Sequence, residues 1–243
     1  MKQRADTLLV ERGLSATRSA AQALILAGRV YSGETRVEKA GQLLATDSAL
    51  SVRGQKPFVS RGGDKLAGAI EAMAIEVEDA VCVDVGASTG GFTDCVLQLG
   101  ARKVYAVDVG HGQLAQKLRT DPRVVVMERT NARHLGPESF AEPINLVVVD
   151  ASFIGIDKLI GAIASWLAPG ARLLALVKPQ FEAGREAARR GRGVIRDPEV
   201  RQAAIDRAIS AVREAGFDVI GECDSVVPGP KGNVERFVYS RKR

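Results

Sequence analysis

The stretch VCVDVGASTGGFTD (residues 81–94) joins a continuous apolar run to a glycine-rich turn. The run VCVDV is rich in β-branched residues and is typical of a strand that is buried on both faces. Gly86, Gly90 and Gly91 follow it, just before a helix-length segment. Glycines at the carboxyl end of a strand let the backbone turn tightly and approach a ligand. The stretch therefore predicts the first strand, turn and helix of a doubly wound sheet.

Similar apolar runs recur through the rest of the chain and alternate with helix-length segments such as QLAQKLRT (113–120) and IDKLIGAIASWLA (156–168). The runs are KVYAVDVG (103–110), VVVM (124–127), INLVVVD (144–150) and RLLALVKP (172–179). After a predicted helix at about 199–215, DVIGECDSVV (218–227) and NVERFVYS (233–240) indicate a closing antiparallel pair. The predicted fold class is α/β: a doubly wound, mostly parallel, seven-stranded Rossmann-like sheet of the methyltransferase type.

Residues 4–53 have a different character. Their apolar spacing predicts two short amphipathic helices, with Ser15 or Thr17 capping the second, and then a hairpin that turns at Ser32-Gly33. The pattern of Arg4, Leu8-Leu9, Gly13-Leu14, Ser-x-x-Ala and Gly-Arg-Val resembles the S4-like RNA-binding module, a small α+β domain. We predict an S4-like domain over residues 1–57, a linker at about 54–63, and a second domain over residues 64–243.

The charge of the chain is unevenly distributed. Residues 1–65 hold 11 Lys and Arg against 6 Asp and Glu, whereas the remainder holds 23 of each. A basic segment of this kind indicates a polyanionic partner, although a solvated charged face would have the same composition. The residues Arg4, Arg18, Arg29 and Lys39 of the S4-like pattern are the predicted phosphate contacts, and Arg61 of the linker is added to them.

Composition also excludes several classes of protein. The longest apolar stretch is broken by Pro169-Gly170, so no segment is predicted to span a membrane, and the N-terminus has no signal-peptide core. The three cysteines and two histidines are scattered, which argues against disulfides and against a metal site. We therefore expect a cytoplasmic protein without a metal. The oligomeric state is left open.

The glycine-rich turn and the next strand together predict a cofactor site. Asp108 ends the second strand, about twenty residues after the glycines, where a carboxylate can accept both hydroxyls of an adenosine ribose. NAD and S-adenosylmethionine both fit that contact. The loop begins with Asp84 and departs from Gly-x-Gly-x-x-Gly, and an acid there suits the cationic methionine end, which favours S-adenosylmethionine. Glu128 or Asn131 is predicted to reach the adenine. The remaining predicted cofactor contacts are Gly86, Ala87, Ser88, Gly90, Gly91, Phe92 and Val109.

The atom that is methylated is indicated by charged residues at the strand ends. Base-amine methyltransferases usually carry Asn/Asp-Pro-Pro-aromatic after the fourth strand, whereas this chain has DASF (150–153). Asp150 ends the fourth strand and Lys178 ends the fifth, so both are expected in the cleft. Lys65 and Glu235 would converge on them from distant segments. These four residues resemble the Lys-Asp-Lys-Glu tetrad of ribose 2′-O-methyltransferases, and the resemblance implies a ribose hydroxyl as the methyl acceptor.

The context of the tetrad resembles the TlyA family, also called hemolysin A, along the whole chain. The shared stretches are SRGGDKL, DVGASTGGFTD, VDASFIGI, LVKPQFE and PKGNVE. The resemblance implies 2′-O-methylation of a cytidine in rRNA, with 23S rRNA common to the family and 16S rRNA added in longer members. Because the chain starts and ends like the short form, we expect 23S rRNA in the large ribosomal subunit as the substrate.

Two roles remain open for Lys178. An ordinary lysine is protonated at neutral pH, so it either loses its proton and acts as a general base or stays charged and stabilises the developing 2′-oxyanion. The family resemblance favours the base, with Asp150 orienting Lys178 while Lys65 and Glu235 place the ribose. After Lys178, the insert EAGREAARRGRGVIRD (182–197) has five Arg, and its Arg189, Arg190 and Arg192 are predicted RNA contacts, although a solvated loop would have the same composition.

Two other functions are compatible with parts of the sequence. A non-catalytic RNA-binding or ribosome-assembly factor could keep the cofactor fold, but four intact tetrad residues argue against it. A membrane-lytic hemolysin would need a long apolar or strongly amphipathic segment, which the sequence lacks. The charges Asp150 and Lys178 could also form an ordinary strand-end salt bridge, and Glu235 could pair with Arg236 on the surface.

Overall fold

The computed structural model describes residues 1–15, 17–54, 57–184, 189 and 191–243. The chain divides into two compact units, Met1–Lys56 and Pro57–Arg243. Within the described ranges, no helix has the length and apolarity that crossing a membrane requires.

The first unit packs two helices against two small antiparallel sheets. Its elements are β1 (Lys2–Arg4), α1 (Ala5–Glu11), α2 (Arg18–Leu26), β2 (Val30–Ser32), β3 (Thr35–Arg36), β4 (Leu43–Ala45) and β5 (Leu50–Val52). Strand β1 pairs with β4, and the order of the other sheet is β3-β2-β5. Its core is formed by Ala5, Leu9, Ala21, Ile25, Val30 and Val37. Thr17 caps α2 by accepting a hydrogen bond from the Ala20 amide, as one of the two predicted caps would.

The hairpin of this unit turns one residue later than its sequence predicts. Ser32 pairs with Thr35, so the turn residues are Gly33 and Glu34 and not Ser32-Gly33. Gly33 has a φ of 57°, and the first position of a two-residue hairpin turn of this kind requires a positive φ. Glycine adopts that φ without steric cost and serine does not, which explains the shift.

The second unit is built on a seven-stranded sheet in the order β11-β12-β10-β9-β6-β7-β8. The strands are β6 (Val81–Val85), β7 (Lys103–Val107), β8 (Val124–Met127), β9 (Leu146–Val149), β10 (Arg172–Val177), β11 (Phe217–Asp224) and β12 (Arg236–Lys242). The five strands from β10 to β8 pair in parallel, and β12 pairs antiparallel with both β10 and β11. The predicted fold class and the closing antiparallel pair are confirmed.

Helices cover both faces of this sheet and leave its central strands buried. They are α3 (Arg61–Ala72), α4 (Gly91–Gln98), α5 (Gln116–Arg119), α6 (Ile160–Ser165), α7 (Pro179–Glu182) and α8 (Pro198–Glu214). Short 3-10 helices lie at Ala132–His134, Pro137–Ser139 and Ile156–Lys158. The segments 113–120 and 156–168 are thus less helical than predicted: the first contains one α-helical turn, and the second begins as a 3-10 helix.

Residues 57–60, which the sequence assigns to the linker, pack on the second unit. Asp94 of α4 accepts a hydrogen bond from the Val59 amide at 2.8 Å, and Phe58 packs against the core below α3. Ser60 then caps α3 by accepting from the Gly62 amide. The helix that carries Lys65 therefore begins at Arg61, inside the predicted linker, because this segment finds apolar contacts and hydrogen bonds on the second unit.

Candidate active site

A cavity of about 520 Å³ opens at the carboxyl ends of β6, β7 and β9. This volume lies in the range of cofactor sites, roughly 300–1,000 Å³. Its walls are Val85, Gly86, Ser88, Val107, Asp108, Val109, Gln113, Thr130, Asn131, Ala132, Arg133, Asp150, Ala151, Ser152, Phe153, Ile154 and Leu159. Of the predicted cofactor residues, Gly86, Ser88, Asp108, Val109 and Asn131 line this cavity, and Asp150 of the tetrad lies on its wall.

Asp108 organises the loop that forms one side of the cavity. Its Oδ2 accepts a hydrogen bond from the Ser88 amide at 2.8 Å, and its Oδ1 accepts from the Gly110 amide at 2.6 Å. A carboxylate has about four acceptor positions, so two hydroxyl groups can still bind to it. The donor set at this wall therefore fits the ribose of an adenosine cofactor. Gln113, whose side chain contacts Ser88, was missed because nothing in its sequence context marks it.

Asn131 and Glu128 take different positions. Asn131 lines the cavity, and its Oδ1 accepts from the Arg133 amide, which leaves its NH₂ group available to an acceptor on a ligand. Glu128 lies outside the cavity wall and binds Arg119 at 2.5 Å and His111 at 3.0 Å. The Arg119 guanidinium lowers the pKa of Glu128 to about 2. Of the two residues predicted to reach the adenine, the structure thus places Asn131 on the cavity wall and Glu128 outside it, and the contact itself stays a prediction.

Asp84 is buried beside the first turn of α4. It is 0% exposed, and its Oδ2 accepts from the amide and the hydroxyl of Thr93 at 2.9 and 2.7 Å. Burial raises the pKa of Asp84 to about 7. It does not line the cavity, so the expected direct contact with a cationic methionine is not supported. Its carboxylate instead stabilises the positive N-terminus of α4.

Four more predicted cofactor contacts belong to the packing around the loop. Ala87 and Phe92 lie in the core, where the Phe92 ring stacks on Phe237 with centroids 6.0 Å apart. A Cβ atom at Gly90 would lie 2.3 Å from Leu118, and one at Gly91 would lie 2.2 Å from Ser60 Oγ. These two glycines allow neighbouring elements to pack closely, and they do not line the cavity. The glycines correctly predicted the turn. A glycine in the sequence does not show, however, whether a ligand or a neighbouring helix approaches its backbone.

Lys178 and Asp150 form an ion pair at adjacent strand ends. Lys178 Nζ lies 2.6 Å from Asp150 Oδ1, and it also donates to Ser152 Oγ at 2.9 Å and to the Asp150 carbonyl at 3.4 Å. Lys178 is 7% exposed. Pro179 begins α7 directly after it, and the extended backbone of Lys178 (φ −110°, ψ 103°) is the conformation that a following proline favours. Three acceptors thus surround the ammonium.

Lys65 and Glu235 form the second ion pair, between α3 and the residue before β12. Lys65 Nζ lies 2.6 Å from Glu235 Oε2, and the two residues are 6% and 1% exposed. Glu235 therefore pairs with Lys65 and not with Arg236, which binds Glu222 and Asp224. The register pairs Val177 with Arg236, so Glu235 follows at the position opposite Lys178. The four predicted catalytic residues are brought to one edge as two ion pairs, of which Lys65–Glu235 is buried and Lys178–Asp150 is partly exposed at Asp150.

Two further side chains stand beside these pairs and were not singled out from the sequence. Gln180 Nε2 donates to Glu235 Oε1 at 3.3 Å. Phe153 is 91% exposed on the cavity wall, has a φ of 66°, and lies 5.4 Å from Phe181 between ring centroids. A positive φ in a large residue is strained, and such strain is concentrated at functional sites. For Phe153, the available signal in the sequence was an aromatic residue three positions after Asp150.

The predicted RNA contacts of the first unit fall into two groups. Arg4 and Arg18 both bind Asp6, at 2.8 and 3.2 Å, and Asp6 is 0% exposed. The Arg4 guanidinium holds the pKa of Asp6 well below its usual range. Arg29 and Lys39 are exposed, and their side chains form no ion pair with another described residue. All four side chains are accessible to solvent. Among the described residues, only Arg29 and Lys39 of the four form no ion pair with a carboxylate.

The other predicted RNA contacts belong to the second unit. Arg61 is exposed and donates to the Pro228 carbonyl at 2.5 Å. Arg189 and Arg192 are exposed, whereas Arg190 lies outside the described residues. Among the residues described, no cluster of three or more His, Cys, Asp or Glu side chains could hold a metal ion.

Comparisons with known proteins agree with this geometry. A model of the FtsJ-like methyltransferase family matches residues 58–242, and a model of the S4 domain matches residues 3–48. The chain is 44% identical over 242 residues to a Mycobacterium tuberculosis protein named 16S/23S rRNA (cytidine-2′-O)-methyltransferase TlyA, and the match covers 99% of this chain and 90% of the relative.

Two solved structures support the same relationship. One is a Streptococcus thermophilus protein whose name contains the word hemolysin. It is 40% identical in sequence, the TM-score is 0.74, and the match covers 99% of this chain and 88% of that chain. An S-adenosylmethionine dependent methyltransferase from Mesorhizobium loti is 15% identical, with a TM-score of 0.53 over 72% and 96% of the two chains, and shows the shared fold alone. The chain therefore belongs to the FtsJ-like methyltransferases and, among them, to the TlyA family, in which an S4 domain precedes the methyltransferase domain.

Proposed function

We propose that this enzyme transfers a methyl group from S-adenosylmethionine to the 2′-hydroxyl of a cytidine in rRNA, with 23S rRNA as the substrate. The observation that carries the proposal is the pair Lys178–Asp150 beside the cavity, with the pair Lys65–Glu235 at the same sheet edge. Ribose methylation needs groups that hold a hydroxyl and manage its proton. The name of the Mycobacterium tuberculosis relative states cytidine 2′-O-methylation of 16S and 23S rRNA for that protein.

The cavity residues would hold the cofactor through three kinds of contact. Asp108 would accept the ribose hydroxyls, the Asn131 NH₂ group would donate to the adenine, and Gly86 would let the backbone approach the ligand. S-adenosylmethionine, when bound, supplies an electrophilic methyl group on a sulfonium. The chain's contribution is then to align the accepting oxygen with that methyl group.

Lys178 is the residue proposed to act on the 2′-oxygen. Asp150 and Ser152 direct its Nζ to the cavity wall, and three acceptors suit the three N–H groups of an ammonium. In this resting arrangement it would stabilise negative charge on the oxygen, and after losing a proton it would serve as the base. Lys65 and Glu235 would place the ribose. A substitution by arginine separates the two roles of Lys178.

The RNA would be captured by basic side chains and by an aromatic face. Arg29 and Lys39, which pair with no carboxylate of the described residues, would bind phosphates and provide salt-dependent affinity. The exposed ring of Phe153, on the cavity wall, would stack on the unstacked target base, as aromatic residues do in the recognition of single-stranded RNA. With these roles, the enzyme would act on the ribosome or its rRNA, in the cytoplasm.

The test is a nucleotide-level map of ribose methylation. We expect purified protein with S-adenosylmethionine to add one 2′-O-methylcytidine to 23S rRNA that lacks it, and the Lys178→Met variant to add none. Nucleoside mass spectrometry then distinguishes ribose from base methylation, and 16S rRNA is assayed in parallel. Methylation of a base atom, or of 16S rRNA alone, would contradict the proposal.

A further inference from the structure

The short helix after Lys178 contacts three separate parts of the site through consecutive side chains. In α7, Gln180 Nε2 donates to Glu235 Oε1 at 3.3 Å, the Phe181 ring lies 5.4 Å from that of Phe153, and Glu182 Oε1 accepts from the Ile156 amide at 2.8 Å. Helix α7, which begins directly after Lys178, is therefore linked to the segment before β12 and to the loop after β9.

Glu182 is the least expected of the three, because its carboxyl group lies mostly inside the protein. With Lys178, it lines a small pocket of about 10 Å³. Burial is the main cause that raises the pKa of Glu182. Gly155 lies so close that a Cβ atom there would be 2.9 Å from Glu182 Oε2. A carboxyl group in such a place loses hydration, and the Ile156 amide compensates part of that cost.

The loop that Glu182 holds carries much of the candidate active site. At one end, the Asp150 amide donates to the Val85 carbonyl at 2.9 Å, and at the other end Ile156 donates to Glu182. Between these two anchors lie Ser152, which accepts from Lys178, and the strained Phe153. The position of the loop relative to Lys178 thus depends on a hydrogen bond to the same helical turn that Lys178 precedes.

Gln180 makes the corresponding link to the other ion pair. Glu235 uses Oε2 to bind Lys65 and Oε1 to accept from Gln180. Both oxygens of this 1% exposed carboxylate are therefore held by side chains from different elements. Fixing both oxygens fixes the rotation of the carboxylate as well as its position.

We propose that Glu182 and Gln180 are positioning residues for the methyl transfer. Glu182 holds the Asp150–Ile156 loop at the distance that pairs Asp150 with Lys178. Gln180 holds Glu235 in the orientation that pairs it with Lys65. Neither residue touches the reacting atoms. The inference rests on the proposed function, and it matters for rate because a displacement of about 1 Å in a catalytic group costs roughly 10² in turnover.

The Glu182→Gln and Glu182→Ala variants test the first residue. Glutamine keeps an acceptor oxygen at the same reach for the Ile156 amide, whereas alanine removes it. We expect turnover of the alanine variant to fall at least about tenfold, with a smaller change in KM for rRNA, and that of the glutamine variant to stay within about threefold of wild type. Equal losses of turnover in both variants would show that the charge of Glu182 is essential and would overturn the inference. Full turnover in the alanine variant would also overturn it.

Hydrogen exchange at the Ile156 amide gives a readout that does not depend on activity. It should be slow in the wild type and in Glu182→Gln and at least about tenfold faster in Glu182→Ala. Equal exchange in all three proteins would overturn the positioning role. If the proposed function itself fails, the wild type transfers no methyl group to rRNA, while the exchange result still reports on the loop.

For Gln180, the substitution Gln180→Met keeps the length of the side chain and removes the donor to Glu235. We expect turnover to fall about three- to tenfold while the fold is retained, because the packing volume is kept and only one buried oxygen of Glu235 loses its donor. The matched control is Gln202→Met on the exposed face of α8, whose side chain contacts only Asp206 among the described hydrogen bonds. Wild-type turnover in Gln180→Met, or the same loss in the control, would overturn the role of Gln180.

Discussion

Lys178 Nζ lies 2.6 Å from Asp150 Oδ1, although the two residues are 28 positions apart in the chain. They meet because β9 and β10 are parallel neighbours, so their carboxyl ends lie at the same edge of the sheet. Asp150 lines the cavity, and the buried Lys178 ammonium contacts both Asp150 and Ser152 of the cavity wall.

Replacing Lys178 should separate catalysis from folding. Lys178→Met keeps the apolar stem and deletes the nitrogen, so turnover should fall by at least about 10² if the group acts in proton transfer. The Asp150 side chain is 24% exposed, but its Oδ1 is buried and loses its partner, so thermal unfolding is measured alongside turnover to show that the variant is folded. Lys178→Arg keeps a charge that cannot be deprotonated. Near-normal turnover with arginine excludes the base role, and near-normal turnover with methionine removes Lys178 from the mechanism.

Asp108→Ala should weaken cofactor binding. Removal of a charge-assisted contact to the ribose hydroxyls costs about 1.5–3 kcal/mol, or about 10- to 100-fold in Kd. Calorimetric titration with S-adenosylmethionine measures this change. Asp121→Ala is the control, because Asp121 pairs with Arg123 outside the cavity. Equal affinities of the wild type and the Asp108 variant would refute the proposed cofactor site.

Gly91→Ala should destabilise the second unit, whereas Gly161→Ala should not. A Cβ atom at Gly91 would lie 2.2 Å from Ser60 Oγ and 2.9 Å from the Gly63 amide nitrogen, so α3 and α4 would have to separate, at about 1–3 kcal/mol. At Gly161 of α6 no atom lies within 4 Å, and alanine should stabilise the helix by about 0.5–1 kcal/mol. Urea unfolding of both variants makes the comparison. Effects of the same sign and size would show that close packing at Gly91 is unimportant.

Asp84→Asn should remove a pH dependence of stability. Burial raises the pKa of Asp84 from 3.8 to about 7, whereas the unfolded carboxyl group titrates near its ordinary value. Between about pH 4 and pH 7 the folded state then binds a proton that the unfolded state has released, so the free energy of unfolding falls as pH rises. Within that window each step of one in pH lowers the free energy of unfolding by on the order of 1 kcal/mol.

Asparagine mimics the protonated acid and can still accept from Thr93, so the stability of the variant relative to wild type should grow from pH 5 to pH 8. Urea unfolding at the two pH values measures it. Parallel pH dependence in the two proteins would mean that Asp84 is ionised in the folded state throughout this range.

Arg29→Ala should weaken RNA binding in a salt-dependent way. The Arg29 side chain is exposed, and no described carboxylate pairs with it. If Arg29 contacts a phosphate, its removal should reduce the magnitude of the slope of log Kd against log salt concentration by about one. Arg53→Ala is the control, because Arg53 binds Glu34 and lies over the Tyr31 ring. An unchanged slope in the Arg29 variant would remove this residue from the RNA-binding surface.

Much of the architecture was determined by local sequence pattern. The apolar runs of residues 81–85, 103–107 and 172–177 are strands, and the last two predicted strands close the sheet as an antiparallel pair. Pro179 predicted the extended backbone of Lys178, and Asp108 was placed at a strand end by its spacing from the glycines. These features depend on residues close in sequence, so the periodicities of strand and helix are sufficient to predict them. The tetrad itself was recognised by family resemblance.

Tertiary structure alone decided which charges pair and which glycines line the cavity. Lys65 and Glu235 are separated by 170 positions, and only the packing of α3 beside β12 brings them to 2.6 Å. Glu128 binds Arg119 and His111, Gly91 faces α3, and Arg4 shares a buried Asp6 with Arg18. Each outcome depends on contacts between segments that are distant in the chain. The type and spacing of a residue do not show which partner will satisfy its hydrogen bonds or pack against it.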